Sequence, residues 1–359
     1  MEVHEIMVFV LGIVLFIPTL ASITRFDQWW VRGFDFPRIQ ISFLLIGEII
    51  AFILIFSFDS FWEIALLILL IFSLFYQLVR IYPYTPFAKK KVESFNGNDS
   101  KNHISLLVSN VLTTNTSYDK LINLVESRNP DILLTLETDK KWESELEVLE
   151  DDYKYSKKIP MDNLYGMHLY SKLELKNIKV KYIIDDEIPS IHGHVILPNG
   201  HPVKIHCLHP KPPSPTEDLT STNRDAELLF VGRDVKKDQE TVLVLGDLND
   251  VAWSRTTKLF QKISGLMDPR MGRGFYNTFH TGYFFLRWPL DHVFHTSDFT
   301  LVELARLRNI GSDHFPMYIK LNYEPRAEYF QDKPEEADSE EKDWAEEKIN
   351  NGNPTEMDV

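Results

Sequence analysis

Three apolar stretches in the first quarter of the chain constrain what the rest can be. Residues 6–23 and 64–79 carry no charged side chain, and 41–58 carry one, Glu48. At a rise of ~1.5 Å per residue each stretch, with its flanks, is long enough to cross a hydrocarbon layer ~30 Å thick as a helix. The mean hydropathy of −0.18 hides this, because it averages an apolar quarter with a polar remainder. A cleaved signal sequence fits the first stretch poorly, since Glu2 and Glu5 stand where a basic region is needed and two more apolar stretches follow. Aromatic residues mark the expected water boundaries: Trp29 and Trp30 after the first stretch, Phe61 and Trp62 at the start of the third, Tyr82 and Tyr84 at its end. The expectation is a multi-pass membrane domain over 1–85, with spans at about 6–23, 41–58 and 62–81. Arg25, Arg32 and Arg38 lie in the first connection, and Arg80 and Lys89 to Lys91 follow the third stretch. This bias predicts an outside N-terminus in the cell membrane and a cytoplasmic main domain. Glu48, in mid-span, reads either as a functional position or as a carboxyl that helps the helices associate.

Beyond the apolar quarter the composition changes twice. Residues 86–102 are polar, with a Lys cluster, Gly, Asn and Ser, and read as a linker. Residues 103–323 read as the soluble domain. The remainder, 324–359, holds 13 Asp/Glu against 4 Lys/Arg and so accounts for nine of the fourteen net negative charges. It is predicted to be a disordered acidic tail with a transient helix at about 340–349. A near-neutral body without a broad basic surface argues against non-specific duplex binding, which draws its affinity from Lys and Arg. The single cysteine, Cys207, excludes an internal disulfide and a Cys-based zinc site.

Within 103–323, short apolar runs at 104–109, 132–136, 166–170, 192–197, 203–208, 241–245, 292–295 and 315–321 read as strands. Helical spacing appears at 117–128 and 218–235. The mixture predicts an α+β domain with sheet packed on sheet and helices outside. Polar residues cluster at the strand ends: Asn110 after ISLLVS, Glu137 after DILLTL, His209 after VKIHCL, Asp247 after TVLVLG, Asp291 before HVF, and Asp313-His314 before FPMYIKL. Any one of these could be an ordinary loop residue, but six together point to a site mounted on rigid elements. Glu137, Asp247 and Asp313 are hard oxygen donors of the kind Mg²⁺ takes alongside waters and phosphate oxygens. In the run Gly246-Asp247-Leu248-Asn249-Asp250, Asp247 can orient water and Asn249 can donate to phosphate. His314 needs an orienting carboxylate, for which Asp291 is the candidate. His206 and His209 point to opposite faces of one strand, so a shared metal site is not expected. His292 reads as a strand residue, either solvent-facing or hydrogen-bonded in the core.

The ordered set SNV, TLE, LHPKPPS, GDLND, LDHVF and GSDHFP resembles the endonuclease/exonuclease/phosphatase superfamily, the DNase I-like phosphoesterases, over about 104–321. The three preceding spans resemble those of bacterial membrane-anchored members. The resemblance implies a four-layered α/β sandwich that cleaves phosphodiesters or phosphomonoesters with Mg²⁺ or Mn²⁺. It implies that Glu137 is the principal metal ligand, with Asn110 holding it and touching phosphate, and that Asp313 is a further acid near the metal. It makes Asp247 and Asn249 the water-orienting and phosphate-binding pair, Asp291 and His314 the essential acid–imidazole pair, and His209 a phosphate-side histidine that assists leaving-group protonation. Leu112 stands where abasic-site endonucleases of the family carry an acid, which argues against DNA-repair specificity. Arg224 and Arg273 are further candidate substrate contacts, each with an ordinary solvated role as the alternative. Trp253 and Trp288 read as packing residues.

The function implied is a membrane-anchored, divalent-metal-dependent phosphoesterase in which water attacks phosphorus. Its substrate would be a lipid headgroup, a nucleic acid or a small phosphoester, with membrane lipids as partners and no feature pointing to a specific protein partner. The alternative is a non-catalytic membrane-tethered scaffold that keeps the fold, whose signature would be a missing core residue.

Overall fold

The structure, a computed structural model, describes residues 2–97 and 101–354. Part of the expected linker (98–100) and of the expected tail (355–359) lies outside the described residues.

Three long helices open the chain: α1 (Val3–Ile23), then, after the single turn α2 (Trp29–Arg32), α3 (Arg38–Ile55) and α4 (Phe61–Ile81). Each is long and apolar enough to cross a membrane. Leu45, Phe52 and Leu70 are fully buried between them, while Ile13, Leu54 and Phe72 on their outer faces are exposed. Apolar residues on every side are what a hydrocarbon surrounding favours. Glu48 is buried against α1, where an added Cβ on Gly12 would meet its Oε1 at 3.4 Å. The helix ends are locked by polar contacts. Arg38 donates to Gln77 Oε1 at 2.7 Å and pairs with Asp35, and Gln77 donates to Thr19 Oγ1 at 3.0 Å.

The soluble domain contributes β1 (His103–Asn110), α5 (Tyr118–Arg128), β2 (Ile132–Leu136), α6 (Lys140–Glu145), β3 (Tyr155–Ile159), β4 (Met167–Ser171), β5 (Leu175–Lys181), β6 (Ser190–Ile196) and β7 (Pro202–Leu208). It continues through α7 (Thr222–Asp238), β8 (Val242–Asp247), α8 (Arg255–Ser264), β9 (Asp291–His295), β10 (Phe299–Arg306) and β11 (Met317–Tyr323), and the described chain closes with α9 (Ser339–Gly352). One sheet has the order β10-β11-β1-β2-β4-β3 and the other β5-β6-β7-β8-β9. Alternation along the strands turns Leu106, Val108, Leu134, Ile205, Leu243 and Val293 into a shared core between the sheets. Opposite residues such as Leu107 and Leu133 pack under α5, and Val242 and Val244 pack under α7 and α8. This is the expected four-layered sandwich, helix on sheet on sheet on helix. Strands β3, β5 and β10 were not expected; β3 and β5 are lysine-rich edge strands whose pattern lacks an apolar run.

Each sheet contains one parallel pair, β1 with β2 and β7 with β8. The carboxyl ends of these pairs carry Asn110, Glu137, His209 and Asp247. Antiparallel pairing brings the start of β9 to the end of β8, with Asp291 opposite Asp247, and the start of β11 to the end of β1, with Met317 opposite Val108. The six strand ends that carry the expected residues therefore converge by topology alone.

Two expectations need correction. The acidic tail is ordered through α9: Asp338 caps it in a reciprocal box with Glu341, and Ala345 and Ile349 are buried against the α7 layer. Lys348, 3% exposed, pairs with Asp27 at 2.7 Å and Asp225 at 2.8 Å. Its partners are distant in sequence, so composition could not reveal them. The polar linker is also partly structured: Val92 is buried in the main core, and Phe95 N donates to Leu301 O at 2.8 Å along the edge of β10.

Buried neutral histidines make the fold acid-sensitive. His192 and His206 share a 2.7 Å contact between their Nδ1 atoms across β6 and β7. Burial pushes His206 down to about 3 and His168 down to about 4, from 6.5. Between those values the unfolded chain binds protons that the folded chain refuses, so the contribution of these histidines to stability falls as pH drops below about 6.5. The denaturation midpoint in detergent should decrease from about pH 7 to about pH 5, and His206→Gln should flatten that slope.

Candidate active site

The converging strand ends surround a cavity of about 290 Å³. Glu137, His209, Asp247, Asn249, Asp313 and His314 line it, and Asn110 and Asp291 lie just behind.

The backbone is bent to aim these groups. Glu137 leaves β2 at φ 61°, an unfavourable conformation for a non-glycine residue, and Thr113 Oγ1 donates to its carbonyl at 2.7 Å. Gly246 has φ 144°, and a Cβ there would lie 1.9 Å from Leu208 O, so only glycine lets β8 approach β7 at this point. Asn249, at φ 50°, closes an Asx turn in which its N–H donates to Asp247 Oδ1 at 3.0 Å.

An amide and an imidazole tie the carboxylates together. Asn110 Nδ2 donates to Glu137 Oε1 at 2.7 Å and to Asp247 Oδ2 at 3.2 Å. His314 Nδ1 donates to Asp291 Oδ2 at 2.8 Å, and its Nε2 faces Asp247 Oδ2 at 3.4 Å. Ser312 Oγ, which accepts from His314 N at 3.1 Å, donates to Asn110 O at 2.9 Å, so the last segment is fastened to the end of β1. Burial by itself would lower the His314 pKa, but Asp291 and Asp247 overcome it and push the imidazole up to about 10. At neutral pH this ring is an imidazolium held between two acids. His209 is different: burial takes it down to about 4, and its Nε2 is 4.0 Å from Asp247 Oδ2. It is a neutral imidazole, a hydrogen-bonding group rather than a strong proton donor.

The residues fit a cation. Glu137 Oε2 is buried with no hydrogen-bond partner, and burial, reinforced by Asp313 and Asp247, pushes the carboxyl up to about 7. A lone carboxylate in that position is stabilised by positive charge. Asp247, Asp291 and His314 also offer ligand atoms within 4.8 Å of one another. The ring of His314 is already committed to Asp291, however, so an ion there competes with an existing ion pair, whereas Glu137 offers a free oxygen.

The two arginines named as substrate contacts are not directed at the cavity. Arg224 is 2% exposed; it pairs with Asp225 through Nε and Nη2 and donates to Asn249 O at 2.8 Å, so it supports the turn that presents Asp247 and Asn249. Arg273 does not line the cavity; it donates to Pro269 O and Ser94 Oγ at 3.2 Å each and to Val92 O. Both sequence contexts, a helix start and a Gly-flanked loop, lack any signal of these partners. The side chain of Asn249 donates to Pro210 O at 2.9 Å and so braces the His209 loop. His292 is buried, bonded to Arg270 at 2.6 Å and to Asp250 O at 2.8 Å. Sequence reading overlooked Tyr165, whose ring lies 5.3 Å from His209, and Phe279, 4.9 Å from His314. Tyr165 stands just before the run at 166–170 but, like Phe279, is not among the polar strand-end residues, and only packing reveals the two.

A family model described as the endonuclease/exonuclease/phosphatase family matches residues 107–314. The chain belongs to that family. Among solved structures, the human Nocturnin catalytic domain with bound sulfate anion is similar at 16% identity and a TM-score of 0.52, covering 63% of this chain and 96% of that one. An endonuclease/exonuclease/phosphatase from Beutenbergia cavernae, 16% identical, gives a TM-score of 0.51 over 62% of this chain and 72% of that one. Humanized D. rerio TDP2, 14% identical, gives 0.50 over 62% and 99%. At such identities the likeness is one of fold. No curated protein matches the chain by sequence. The family's fold thus covers the sandwich, and the three helices precede the matched region.

Arg224 supplies a direct check on the site's support. Arg224→Ala leaves the buried Asp225 and Asp250 without their guanidinium, and is expected to destabilise the protein by about 3–5 kcal/mol in chemical denaturation followed by tryptophan fluorescence.

Proposed function

We propose that the protein is a membrane-anchored, divalent-metal-dependent phosphoesterase. The observation that carries this reading is the buried carboxylate of Glu137 with an unpartnered oxygen, facing the same cavity as an acid-bracketed imidazolium. Glu137 and Asp313 would hold Mg²⁺ or Mn²⁺, with Asn110 steadying Glu137. When bound, the ion supplies charge that polarises the phosphoryl group and favours departure of the leaving oxygen.

The chain's own residues do the rest. Asp247, aimed by the Gly246 turn and the Asx turn at Asn249, orients the attacking water and accepts its proton. His314, kept protonated by Asp291, donates a hydrogen bond to the charge that grows on phosphate. Asn110 holds the carboxylates of Glu137 and Asp247 together, and Asn249, one of whose amide hydrogens goes to Pro210 O, would give the other to phosphate. His209 donates a hydrogen bond to the leaving oxygen. The three apolar helices and their arginine-bearing connection favour a multi-pass protein with its catalytic domain in the cytoplasm.

Full-length protein in detergent should hydrolyse bis-p-nitrophenyl phosphate only with Mg²⁺ or Mn²⁺. Glu137→Ala and His314→Ala should each lower kcat/KM by about 100-fold or more. A loss smaller than about tenfold in both would defeat the reading. Because the metal-free Glu137 carboxyl titrates near 7, protons compete with the ion below that pH. Metal affinity measured by calorimetry should rise as pH increases to about 7 and then level off.

A further inference from the structure

The mouth of the cavity is built against the ends of the long helices. Phe36, from the connection between α1 and α3, lines it. Its ring packs on Trp288 at 5.8 Å, Trp288 stacks with Phe279 at 6.2 Å, and Phe279 lies 4.9 Å from His314. A continuous aromatic wall therefore runs from the catalytic imidazole to the level at which α3 begins.

Two loops flank this wall. One is a hairpin from Phe279 to Trp288, whose base is tied to the catalytic segment: Thr281 N donates to Asp313 O at 2.8 Å and Thr281 Oγ1 to Ser312 O at 2.7 Å. Its tip presents Tyr283, Phe284 and Phe285 at 59%, 75% and 78% exposure, and Gln40 in the first turn of α3 donates to Phe285 O. The other is the loop after His209. It carries the exposed Leu219, whose carbonyl accepts from Trp29 N at 2.9 Å, next to the exposed Trp30. Three large aromatics at the tip of a water-facing loop would leave much apolar area unburied, whereas the boundary of a bilayer accommodates such rings.

Charge points the same way. Among the described residues lining the cavity there is no Lys or Arg, and Arg224 and Arg273 are bound elsewhere. A polynucleotide needs cations for its successive phosphates. A lipid brings one phosphate group for the polar floor and an apolar body for the wall.

We propose that the substrate is a phosphate ester carried by a membrane lipid, entering between the 279–288 hairpin and the loop after His209 while the aromatic tip sits in the bilayer surface. This rests on the phosphoesterase reading above. In the step, a P–O bond to the water oxygen forms and one ester P–O bond breaks. The two water protons end on the departing oxygen and on Asp247 or the new phosphate.

The full chain is reconstituted with Mg²⁺ in phosphatidylcholine–phosphatidylglycerol vesicles. Turnover is compared on these lipids, on an added polyprenyl monophosphate, on soluble bis-p-nitrophenyl phosphate and on a single-stranded oligonucleotide. At least one lipid arm should turn over, which identifies the lipid source. The triple variant Tyr283→Ser, Phe284→Ser, Phe285→Ser should lose about tenfold more lipid turnover than soluble-diester turnover. Cleavage of the soluble diester or the oligonucleotide with no lipid cleaved overturns the inference but leaves the phosphoesterase reading standing. No metal-dependent turnover on any arm defeats both. A triple variant that loses lipid and soluble turnover equally also counts against the inference. A second readout needs no turnover. Cys207 is fully buried, so a polarity-sensitive dye on Phe284→Cys reports the tip alone. Quenching by acyl-chain nitroxide lipids, absent for dye on Glu126→Cys, is expected; emission as in water at position 284 overturns the proposal.

Discussion

A buried carboxylate on α7 holds three parts of the molecule in one arrangement. Asp225, fully inaccessible, accepts from Lys348 on α9 at 2.8 Å, from Ser221 at 2.9 Å and from Arg224 at 2.8 Å. Lys348 reaches on to Asp27 in the connection after α1, and Arg224 reaches on to the carbonyl of Asn249. Burial alone would raise the Asp225 pKa, but Lys348 and Arg224 hold it well below the usual carboxylate range. Each charge in this chain is tolerated inside the protein only because the next one is in place. The last helix, the end of the first long helix and the 246–250 turn are thereby set relative to one another.

The contacts around that network carry the same coupling to the rest of the helix ends. Tyr84 donates to Ala252 O at 2.6 Å, Trp253 to Asp35 O at 2.7 Å, and Arg255 to Ile23 O at 2.7 Å. Val251, Ala252 and Trp253, which follow the 246–250 turn directly, pack with Ile81, Tyr84 and Leu290 in one apolar cluster. The cavity therefore has a defined direction with respect to the helices, and its aromatic wall grows out of this joint. Within the cavity, the unfavourable backbone conformation at Glu137 and the crowded Gly246 show where packing energy is spent on aim.

Much of this was readable from residue order because it rests on local rules. Asn110, Glu137, His209, Asp247, Asp291 and His314 stand beside apolar runs, and a strand delivers its terminal residue to a sheet edge whatever its partners are. The pairing of His314 with Asp291 followed from the chemistry of an imidazole that needs a carboxylate. Arg224 and Arg273 were misjudged for the opposite reason. A long cation next to a candidate site has no local mark that says whether it faces substrate or a buried acid, and both found partners far along the chain. The acidic tail misled in the same way, since Lys348, Ala345 and Ile349 gain their meaning only from α7 and Asp27. His209 lines the cavity as its strand end suggests, but its low pKa comes from enclosure that no sequence pattern expresses.

What residue order settled by itself was the partition into an apolar quarter and an α+β body, and the set of groups available for phosphate chemistry. Periodicity, length and side-chain type are properties of short segments, and they suffice for that. Only the folded chain decided that the site is floored by acids with no Lys or Arg among the described lining residues, that its wall is aromatic, and that its mouth opens beside the helix ends. Those features are sums over contacts between distant segments, where burial changes what a charge costs and where topology, not spacing, brings side chains together.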